Sequence, residues 1–237
     1  MLTGPKTVLM IRAYDQAVDF VSDIAVANPV TFAPMVCIEP LNTDQTLPPV
    51  DRLIFTSSNA VRLFANKTKD RSMDVACVGS VTARITEECG FKTPQLFETA
   101  AQLVTSFQRE AHDGAHILYP RAETVSLDIA GVLARTGFDV TDIVIYRQTF
   151  QPLSRDAIDL IESSSVFVPI FSMEIAKRFH AAIVSIKPHD LTLVCISGPV
   201  AAVFNGFSVE IAPKPTRAAL IARIKTCLSA KKPEQSL

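Results

Sequence analysis

Short apolar runs alternate along the chain with segments whose apolar residues recur at helical spacing. The run Thr7–Ile11 predicts a strand, and the segment after it predicts a helix because its apolar residues fall on one face. Those apolar residues are Ala17, Phe20, Val21 and Ile24. Further strands are predicted at Val30–Ile38, Arg52–Thr56, Asp74–Val78, Ala115–Tyr119, Asp139–Arg147, Val166–Ile170 and Leu191–Ile196. This alternating order predicts parallel sheets flanked by helices.

Capping residues indicate where several of the helices begin and end. Thr99 and Thr216 precede apolar periodic segments and predict N-caps. The helix after Thr99 is expected to bury Leu103, Phe107 and Ala111. Gly90 and Gly137 follow such segments, where a helix favours a left-handed residue. Other helices are predicted from Ser58, over Ser80–Cys89 and over Ser172–Ile183, and the tail after Leu228 is predicted to fray.

Four segments of the first half resemble four segments of the second half in the same order. VLMIRA (Val8–Ala13) matches ILYPRA (Ile117–Ala122), and FTSSNAVRLF (Phe55–Phe64) matches IFSMEIAKRF (Ile170–Phe179). The other matches are CVGSVTA with CISGPVAA and ETAAQLV with PTRAALI. Because four matches keep their order, the sequence predicts two diverged copies of one structural unit.

Composition fits a two-domain protein without a strong charge bias. The chain has 237 residues, of which 48% are hydrophobic, and a formal net charge of -1. This length is comfortable for two domains, and the charge indicates neither a nucleic-acid partner nor an acidic membrane surface. We therefore expect any anionic ligand to be held by local donors.

The cysteines and the N-terminal segment predict a cytoplasmic protein. The five cysteines are odd in number and scattered, which is typical of reduced thiols rather than of a disulfide framework. The segment before Arg12 lacks the features of a signal peptide, and no apolar stretch is long enough to span a membrane. The cysteines are Cys37, Cys77, Cys89, Cys195 and Cys227.

Small polar turns follow two of the predicted strands. These turns are Thr56-Ser57-Ser58-Asn59 and Gly79-Ser80-Val81-Thr82. Such turns aim backbone N–H groups and a helix N-terminus at the carboxyl edge of a sheet, where open α/β sheets bind ligands. Helix capping alone would explain any single turn, whereas the set of turns favours a site for carboxylates or phosphates.

Two arginines and one tyrosine are further candidates for the same edge. Arg12 and Arg121 end equivalent predicted strands, although each could equally be a solvated surface residue. Tyr146 lies near the end of an apolar strand, where a tyrosine at the margin of a core is common. Its phenol is neutral at pH 7 and can donate a proton, which makes it a candidate general acid.

Common cofactor and catalytic motifs do not occur in this sequence. It contains no GxGxxG, no GxxxxGK[ST], no HExxH and no GxSxG pattern. The four histidines form no ligand pattern. We therefore expect neither a metal nor a cofactor, and a nucleotide enzyme is disfavoured. A two-domain binding protein for an anionic metabolite, without catalysis, remains the alternative to an enzyme.

Taken together, these segments resemble the uroporphyrinogen-III synthase family over almost the whole chain. The resemblance is carried by LIFTSSNAV, VACVGSVTARITEECGF, ILYPRAE, the strand ending in VIYR, and the closing A-x-x-PT-x-x-x-L pattern. It implies an α/β protein of two flavodoxin-like domains with parallel sheets flanked by helices, joined by a two-stranded antiparallel linker. One domain would combine residues 1–36 with 149–237, and the other would be continuous over 38–146.

The resemblance also implies a substrate and a reaction. The substrate would be hydroxymethylbilane, a linear tetrapyrrole with carboxylates, which is cyclised to uroporphyrinogen III with loss of water and inversion of the terminal pyrrole ring. The enzyme would be a cytoplasmic monomer without cofactor, and the resemblance allows a transient handover from hydroxymethylbilane synthase. Tyr146 matches the tyrosine that would assist departure of the hydroxyl group. The substrate-binding candidates are Arg12, Ser57, Ser58, Asn59, Gly79, Thr82, Arg121, Ser172 and Gly198.

The second copy departs from the family pattern at three positions. Met173 and Glu174 follow the second FS turn, where a donor-rich pair is more usual, and Glu174 would repel a carboxylate unless it points away. Ala201 stands where the first copy has Thr82. We therefore expect fewer ligand contacts from the half of the protein that contains these residues.

Overall fold

The structure is a computed structural model that describes residues 5–41, 49–110 and 114–229. The chain divides into two compact units. Unit 1 combines the residues up to Cys37 with those from Phe150 onward, and unit 2 is Ile38–Thr149. Ala111 and the tail beyond residue 229, for which a buried contact and fraying were predicted, lie outside the described residues.

Strands and helices alternate through most of the described chain. The strands are β1 Thr7–Met10, β2 Val30–Phe32, β3 Val36–Pro40, β4 Arg52–Phe55, β5 Asp74–Val78, β6 Gln95–Phe97, β7 His116–Ala122, β8 Asp139–Phe150, β9 Ser165–Ile170, β10 Asp190–Cys195 and β11 Ser208–Ile211. The helices are α1 Tyr14–Ile24, α2 Ser58–Ala65, α3 Ser80–Glu88, α4 Ala100–Phe107, α5 Ile129–Arg135, α6 Arg155–Ser163, α7 Met173–Ile183, α8 Gly198–Ala201 and α9 Arg217–Ser229.

Each unit contains one sheet, and the predicted parallel pairing is confirmed in both. In unit 1 the order is β11-β10-β9-β1-β2, and every adjacent pair is parallel. In unit 2 the order is β3-β8-β7-β4-β5-β6, and the pairs from β8 to β6 are parallel. Strand β1 pairs with β9, so the N-terminal strand packs with the C-terminal half as predicted.

The two sheets share one strand order if the strands of unit 1 are numbered from β9. Strands β9, β10 and β11 are then the first three, and β1 and β2 are the fourth and fifth. Counted in this way, both sheets contain the order 3-2-1-4-5, with β4 and β9 as the first strands, and β3 is an additional edge strand beside β8 in unit 2. The matched sequence segments thus lie on strands at equivalent positions: β4 with β9, β5 with β10, and β7 with β1. The strand order supports the two diverged copies inferred from the sequence.

The predicted continuous strand Val30–Ile38 is wrong. The structure contains two strands here, β2 in the sheet of unit 1 and β3 in the sheet of unit 2. Pro34 lies between them, and proline is rare inside a continuous strand. Ala33 N–H donates to Met10 O (2.9 Å) and Met35 N–H to Ile11 O (2.8 Å), so the chain leaves the neighbourhood of β1 after Met35.

Several predicted helix ends are confirmed. The Thr99 hydroxyl accepts a hydrogen bond from Gln102 N–H (3.2 Å), and the Thr216 hydroxyl accepts one from Ala219 N–H (3.3 Å). Gly90 and Gly137 adopt φ values of 85° and 97°, the left-handed conformation expected after a helix. The short edge strands β6 and β11 and the helix α6 were not predicted, although α6 has a capping serine, Ser154, that bonds Ala157 N–H.

The sheet of unit 2 has a hydrophobic core on each face. Leu53 and Phe55 of β4 pack into the core formed with α2 and α3, whereas Ile54 packs into the core formed with α4 and α5. Both cores exclude water from β4, as expected for a parallel strand covered by helices on both sides. Alternate residues of β4 and β7 therefore reach opposite faces of the sheet, and this alternation continues to the ends of the strands.

The described cysteines are free thiols, and two of them are buried in the sheets. Burial raises the pKa of Cys77 from 9.0 to about 11 and that of Cys195 from 9.0 to about 12. A group whose pKa is raised by folding stabilises the fold fully below its unfolded value and loses that effect as the pH rises through the folded value.

We therefore expect the melting temperature to begin to fall near pH 9, the ordinary pKa of these thiols, and to keep falling toward pH 11. Replacing Cys195 with alanine should lower the melting temperature at neutral pH, because it leaves a cavity, but it should make the fall above pH 9 shallower. Calorimetry of both proteins across this range measures the two slopes. Equal slopes of melting temperature against pH in the two proteins would show that Cys195 does not cause the fall above pH 9.

Candidate functional site

A cleft opens at the carboxyl edge of the sheet in unit 2. Its volume is about 410 Å³, and its lining comes from the ends of β4, β5, β7 and β8 together with the loop after β7. In chain order the sheet grows from β4 toward β6 and then returns to β7 on the other side of β4. The carboxyl ends of β4 and β7 therefore flank the point where the strand order reverses, which is the usual ligand site of open α/β sheets.

Tyr146 lies in this cleft on β8 and is 3% exposed. Its hydroxyl donates a hydrogen bond to Ser57 Oγ (3.1 Å). Burial raises the pKa of Tyr146 above 10.0, and the hydrogen bond with Ser57 offsets part of the rise. The phenol is therefore neutral at physiological pH and retains a proton that it can donate. Strand β8 continues past Tyr146 to Phe150, so this residue lies within the strand rather than at its end.

Ser57 serves both the helix and the phenol. As the N-cap of α2, its Oγ accepts a hydrogen bond from Asn59 N–H (3.2 Å), and it also accepts the bond from Tyr146. The side chain of Asn59 is 3% exposed, and within the described chain its Nδ2 has no hydrogen-bond partner. Asn59 also acts to lower the pKa of Tyr146, although less than Ser57 does. Because hydrogen bonding from the Asn59 side chain favours the charged phenol, this amide is suited to a negative charge on Tyr146.

The second predicted turn is built around Gly79. Its φ of 86° and ψ of 139° lie in a region that side chains strongly disfavour, which explains glycine here. The Gly79 N–H donates to Phe97 O (2.8 Å), so this amide is already used within the sheet. Thr82, which is 6% exposed, faces the turn, with Oγ1 4.0 Å from the point where a Cβ on Gly79 would lie.

The structure brings together only some of the predicted site residues. Ser57, Arg121 and Tyr146 line the cleft, whereas Ser58, Asn59, Gly79 and Thr82 are not among the described lining residues. Ser58 is 6% exposed in the first turn of α2. These four residues therefore lie outside the described lining of this cleft.

Arg121 reaches the cleft with its charge already paired. Its Nε donates to the carboxylate of Asp142, and its Nη1 donates to the carbonyl oxygens of Ala122 (2.9 Å) and Glu123 (3.2 Å). Because these contacts occupy several of its five donors, Arg121 has limited capacity for a second carboxylate. The polar surface of the cleft is thus set mainly by hydroxyl groups.

Arg12 occupies the equivalent place in unit 1. Its guanidinium lies 4.1 Å from the ring centroid of Phe171, and its Nη2 donates to Gln16 Oε1 (2.8 Å). The Nε is buried, without a hydrogen-bond partner in the described chain. Burial, followed by the charge of Arg217, lowers the pKa of Arg12 to about 10, so the side chain remains charged at neutral pH.

The other predicted residues of unit 1 are helix-terminal. Ser172 is the N-cap of α7 and accepts a hydrogen bond from Ile175 N–H (3.4 Å), and Gly198 begins the short helix α8. Glu174 forms an ion pair with Arg178 (2.6 Å), which occupies the carboxylate that was expected to repel an anionic ligand. Ala201 is buried in α8 and offers no hydroxyl.

Thr56 and Tyr119 were missed as site residues. Thr56 Oγ1 and the Tyr119 hydroxyl are hydrogen-bonded at 3.1 Å, and both residues line the cleft. Thr56 belongs to the turn that was singled out, and Tyr119 lies two residues before Arg121 on the same strand. The period-two alternation of strands could have identified Tyr119, because it places this side chain on the same face as Arg121.

The described part of the chain shows neither a metal site nor a membrane span. Residues 5–41, 49–110 and 114–229 contain no group of His, Cys, Asp and Glu side chains that could hold a metal ion. None of the helices in these ranges is long and apolar enough to cross a membrane.

The fold and the cleft define a class of protein: a pair of related parallel α/β units, one of which has a cleft at its strand-order reversal. A family model described as uroporphyrinogen-III synthase HemD matches residues 27–222, which is most of the chain. The chain belongs to the uroporphyrinogen-III synthase family. The predicted family is confirmed, and with it a hydro-lyase of tetrapyrrole biosynthesis that acts on a tetrapyrrole substrate. The alternative of a non-catalytic binding protein is not favoured.

A solved structure supports the fold. The chain is similar to uroporphyrinogen-III synthetase from Helicobacter pylori 26695, with 17% identity and a TM-score of 0.63, over 94% of this chain and 99% of that one. A mutant uroporphyrinogen III synthase from the extremely thermophilic bacterium Thermus thermophilus also matches, with 13% identity and a TM-score of 0.49, over 95% and 100% of the two chains. None of the curated proteins matches the sequence.

Thr82 and Thr86 provide a matched pair for testing the second turn. Both hydroxyls are buried in α3, but Thr82 faces Gly79, whereas Thr86 bonds Thr82 O (2.8 Å) and Cys77 Sγ (3.2 Å). If the turn contributes to ligand binding, Thr82→Val should raise the KM several-fold with little loss of stability. Thr86→Val should lower the free energy of unfolding by ~1 kcal/mol, the contribution of a lost hydrogen bond, and with it the melting temperature, and should leave KM unchanged. Equal KM values in the two variants would assign Thr82 to the core only.

Proposed function

We propose that the cleft of unit 2 is the place where hydroxymethylbilane loses its hydroxyl group, with Tyr146 as the proton donor. The observation that carries this proposal is the buried Tyr146 phenol, hydrogen-bonded to Ser57 at 3.1 Å in a cleft at the strand-order reversal. The reaction needs a proton at the leaving hydroxyl, and Tyr146 is a neutral acid in the cleft. Its proton is donated to Ser57 Oγ, which the substrate hydroxyl could replace as the acceptor.

The proton balance closes through the same residue. The phenol gives its proton to the hydroxyl group, the C–O bond breaks, and water leaves. The methylene left behind bonds the already substituted carbon of the terminal pyrrole and gives a spiro intermediate. The original bond from that carbon to its methylene bridge then breaks, and the freed methylene bonds the other side of the ring, which inverts it. The ring proton released at this closure returns to the phenolate. The net change is loss of one water molecule, which needs no oxidant, metal or cofactor.

The surroundings of Tyr146 support this cycle. A phenolate at this buried position needs hydrogen-bond donors, because burial disfavours the charged form. The unpartnered Nδ2 of Asn59 and the hydroxyl of Ser57 are suited to this role. In the resting state the same burial keeps the phenol protonated, so the acid is ready at neutral pH.

We further propose that the substrate carboxylates are bound by the remaining predicted residues. In unit 2 these are Ser57, Ser58, Asn59, Gly79, Thr82 and Arg121. In unit 1 they are Arg12, Ser172 and Gly198, and the buried, partly unsatisfied guanidinium of Arg12 supports a role for it. Charge-assisted hydrogen bonds from such donors are stronger than neutral ones, which suits a ligand rich in carboxylates.

The domain boundaries and the linker also belong to this proposal. We take residues 1–36 with 149–237 as one domain and 38–146 as the other, joined through two antiparallel strands. Two hydrogen bonds support the antiparallel direction. Leu41 N–H donates to Ile145 O (2.9 Å), and Thr149 Oγ1 donates to Glu39 Oε1 (2.8 Å). The later residue of one strand is thus paired with the earlier residue of the other, as in an antiparallel pair.

Three expectations about the working state are likewise proposals. The first is a monomeric state. The second is a cytoplasmic location, which accords with the free thiols of the described cysteines, since these suit a reducing compartment. The third is a transient handover of substrate from hydroxymethylbilane synthase. Light scattering tests the oligomeric state, and conversion in a coupled assay with and without a trap for free substrate tests the handover.

Product analysis tests the activity itself. Hydroxymethylbilane closes spontaneously to the type I isomer, whereas a synthase of this family gives type III. The purified protein is incubated with hydroxymethylbilane, and the oxidised product isomers are separated. An excess of the type III isomer supports the proposal, and the isomer composition of the uncatalysed reaction would overturn it.

Tyr146→Phe tests the proton donor, because it deletes the phenol and keeps the ring. We expect the turnover number to fall by roughly 10²-fold, the lower end of general-acid contributions. Product affinity should change little, since one neutral hydroxyl contributes only about 1 kcal/mol. Steady-state kinetics and a thermal melt on one preparation measure both effects.

Tyr14→Phe is the matched control for this substitution. Tyr14 is 58% exposed on α1 of unit 1, so its hydroxyl is lost without disturbing a core. The control should leave turnover unchanged. Near-normal turnover by Tyr146→Phe, with a lowered melting temperature, would reduce Tyr146 to a packing role.

A further inference from the structure

A second phenol lies in the same cleft as Tyr146. The Tyr119 hydroxyl is hydrogen-bonded to Thr56 Oγ1 at 3.1 Å, just as the Tyr146 hydroxyl bonds Ser57 Oγ at 3.1 Å. All four residues line the cleft. Two consecutive hydroxyls at the end of β4 therefore each bond a phenol from a neighbouring region of the sheet.

The alternation of side chains along β4 explains why the Thr56–Tyr119 and Ser57–Tyr146 pairs lie on opposite faces of the sheet. Tyr119 packs with Ile54 in the core on one face of the sheet, whereas Tyr146 packs with Phe55 in the core on the other face. Thr56 and Ser57 continue the alternation of Ile54 and Phe55 along the chain. The two phenols therefore approach the end of β4 from opposite faces and lie on two sides of the cleft.

The related unit shows that the fold does not require the Thr56–Tyr119 pair. In the internal match, Thr56 aligns with Phe171, and Tyr119 aligns with Met10. Unit 1 builds the same strand order with these two apolar residues at the equivalent positions. A partly buried hydroxyl pair that the related unit replaces by apolar side chains needs a reason other than folding, and its position in the cleft supplies one.

The chemistry of Tyr119 suits an anionic ligand. Burial raises its pKa, while the hydrogen bond with Thr56 and the nearby charge of Arg121 partly offset the rise. The phenol is therefore a neutral donor beside an arginine whose charge is shared with Asp142. A carboxylate that entered here would accept a hydrogen bond from the phenol and lie within the field of the guanidinium.

We propose that Tyr119, held by Thr56, is a carboxylate-binding residue of the cleft, on the side opposite Tyr146. The inference rests on the proposed function, because the carboxylate is that of the tetrapyrrole substrate. Tyr119 then positions the substrate by exchanging its bond with Thr56 for one with the ligand, while Tyr146 serves the chemical step.

The division of roles predicts different kinetic changes in matched variants. Tyr119→Phe should raise KM on the order of tenfold, the effect of losing a hydrogen bond to a charged group, and leave kcat within about twofold. Tyr146→Phe should instead lower kcat. Tyr14→Phe, with its hydroxyl outside the cleft, should change neither constant. The split between KM and kcat is a readout that loss of packing alone does not produce in the folded fraction.

Tyr119→Phe leaves the Thr56 hydroxyl without its partner, which could destabilise the fold. A second variant therefore tests the inference if the first does not fold. Tyr119→Phe combined with Thr56→Val removes both polar groups and leaves none unsatisfied. The double variant should show the same rise in KM. An unchanged KM in a folded variant, or a fall in kcat alone, would overturn the inference while leaving the proposed function in place. A wild-type protein that does not form the type III isomer would overturn both.

Discussion

The burial of β4 on both faces is the constraint on which the site depends. Leu53 and Phe55 pack into one core and Ile54 into the other, so the position and register of this strand between β5 and β7 are fixed. The first polar residues beyond its end, Thr56 and Ser57, are then delivered to a defined place at the carboxyl edge. A shift by one residue would exchange the two faces and bury a hydroxyl among apolar groups. The packing that stabilises the two cores therefore also fixes the positions of the Thr56 and Ser57 hydroxyls.

The cleft that results is rich in hydroxyls rather than in free positive charge. Tyr119 and Tyr146 are neutral because burial raises the pKa of each, and Arg121 is paired with Asp142. Such a surface costs less to keep buried than unpaired cations would, because neutral hydroxyls can satisfy one another when no ligand is present. It also fits a chain with a net charge of -1 that acts on an anionic substrate.

Local signals made much of the fold predictable, whereas the site depends on contacts that span long stretches of chain. Gly90 behaves as expected because a glycine after a helix reports on contacts within a few residues. The break between β2 and β3 was missed because the apolar run continues across Pro34 while the chain passes from one sheet to the other. Ser57 and Tyr146 are 89 residues apart, so sequence spacing gives no hint of their hydrogen bond. The family resemblance supplied Tyr146 but said nothing of Tyr119, which the comparison between the two copies identifies.

That comparison also explains why two copies with one strand order differ in chemistry. At the positions of Thr56 and Tyr119, unit 1 has Phe171 and Met10, and the Phe171 ring lies against Arg12. Burial, to which this ring contributes, lowers the pKa of Arg12 to about 10, yet the guanidinium stays charged at neutral pH. Both units therefore carry an arginine at this strand end, but Arg121 is paired with Asp142 beside neutral hydroxyls, whereas Arg12 lies against the Phe171 ring. Duplication preserved the backbone that presents ligands at the sheet edge, and divergence at a few strand-end positions changed the kind of donor that each edge carries.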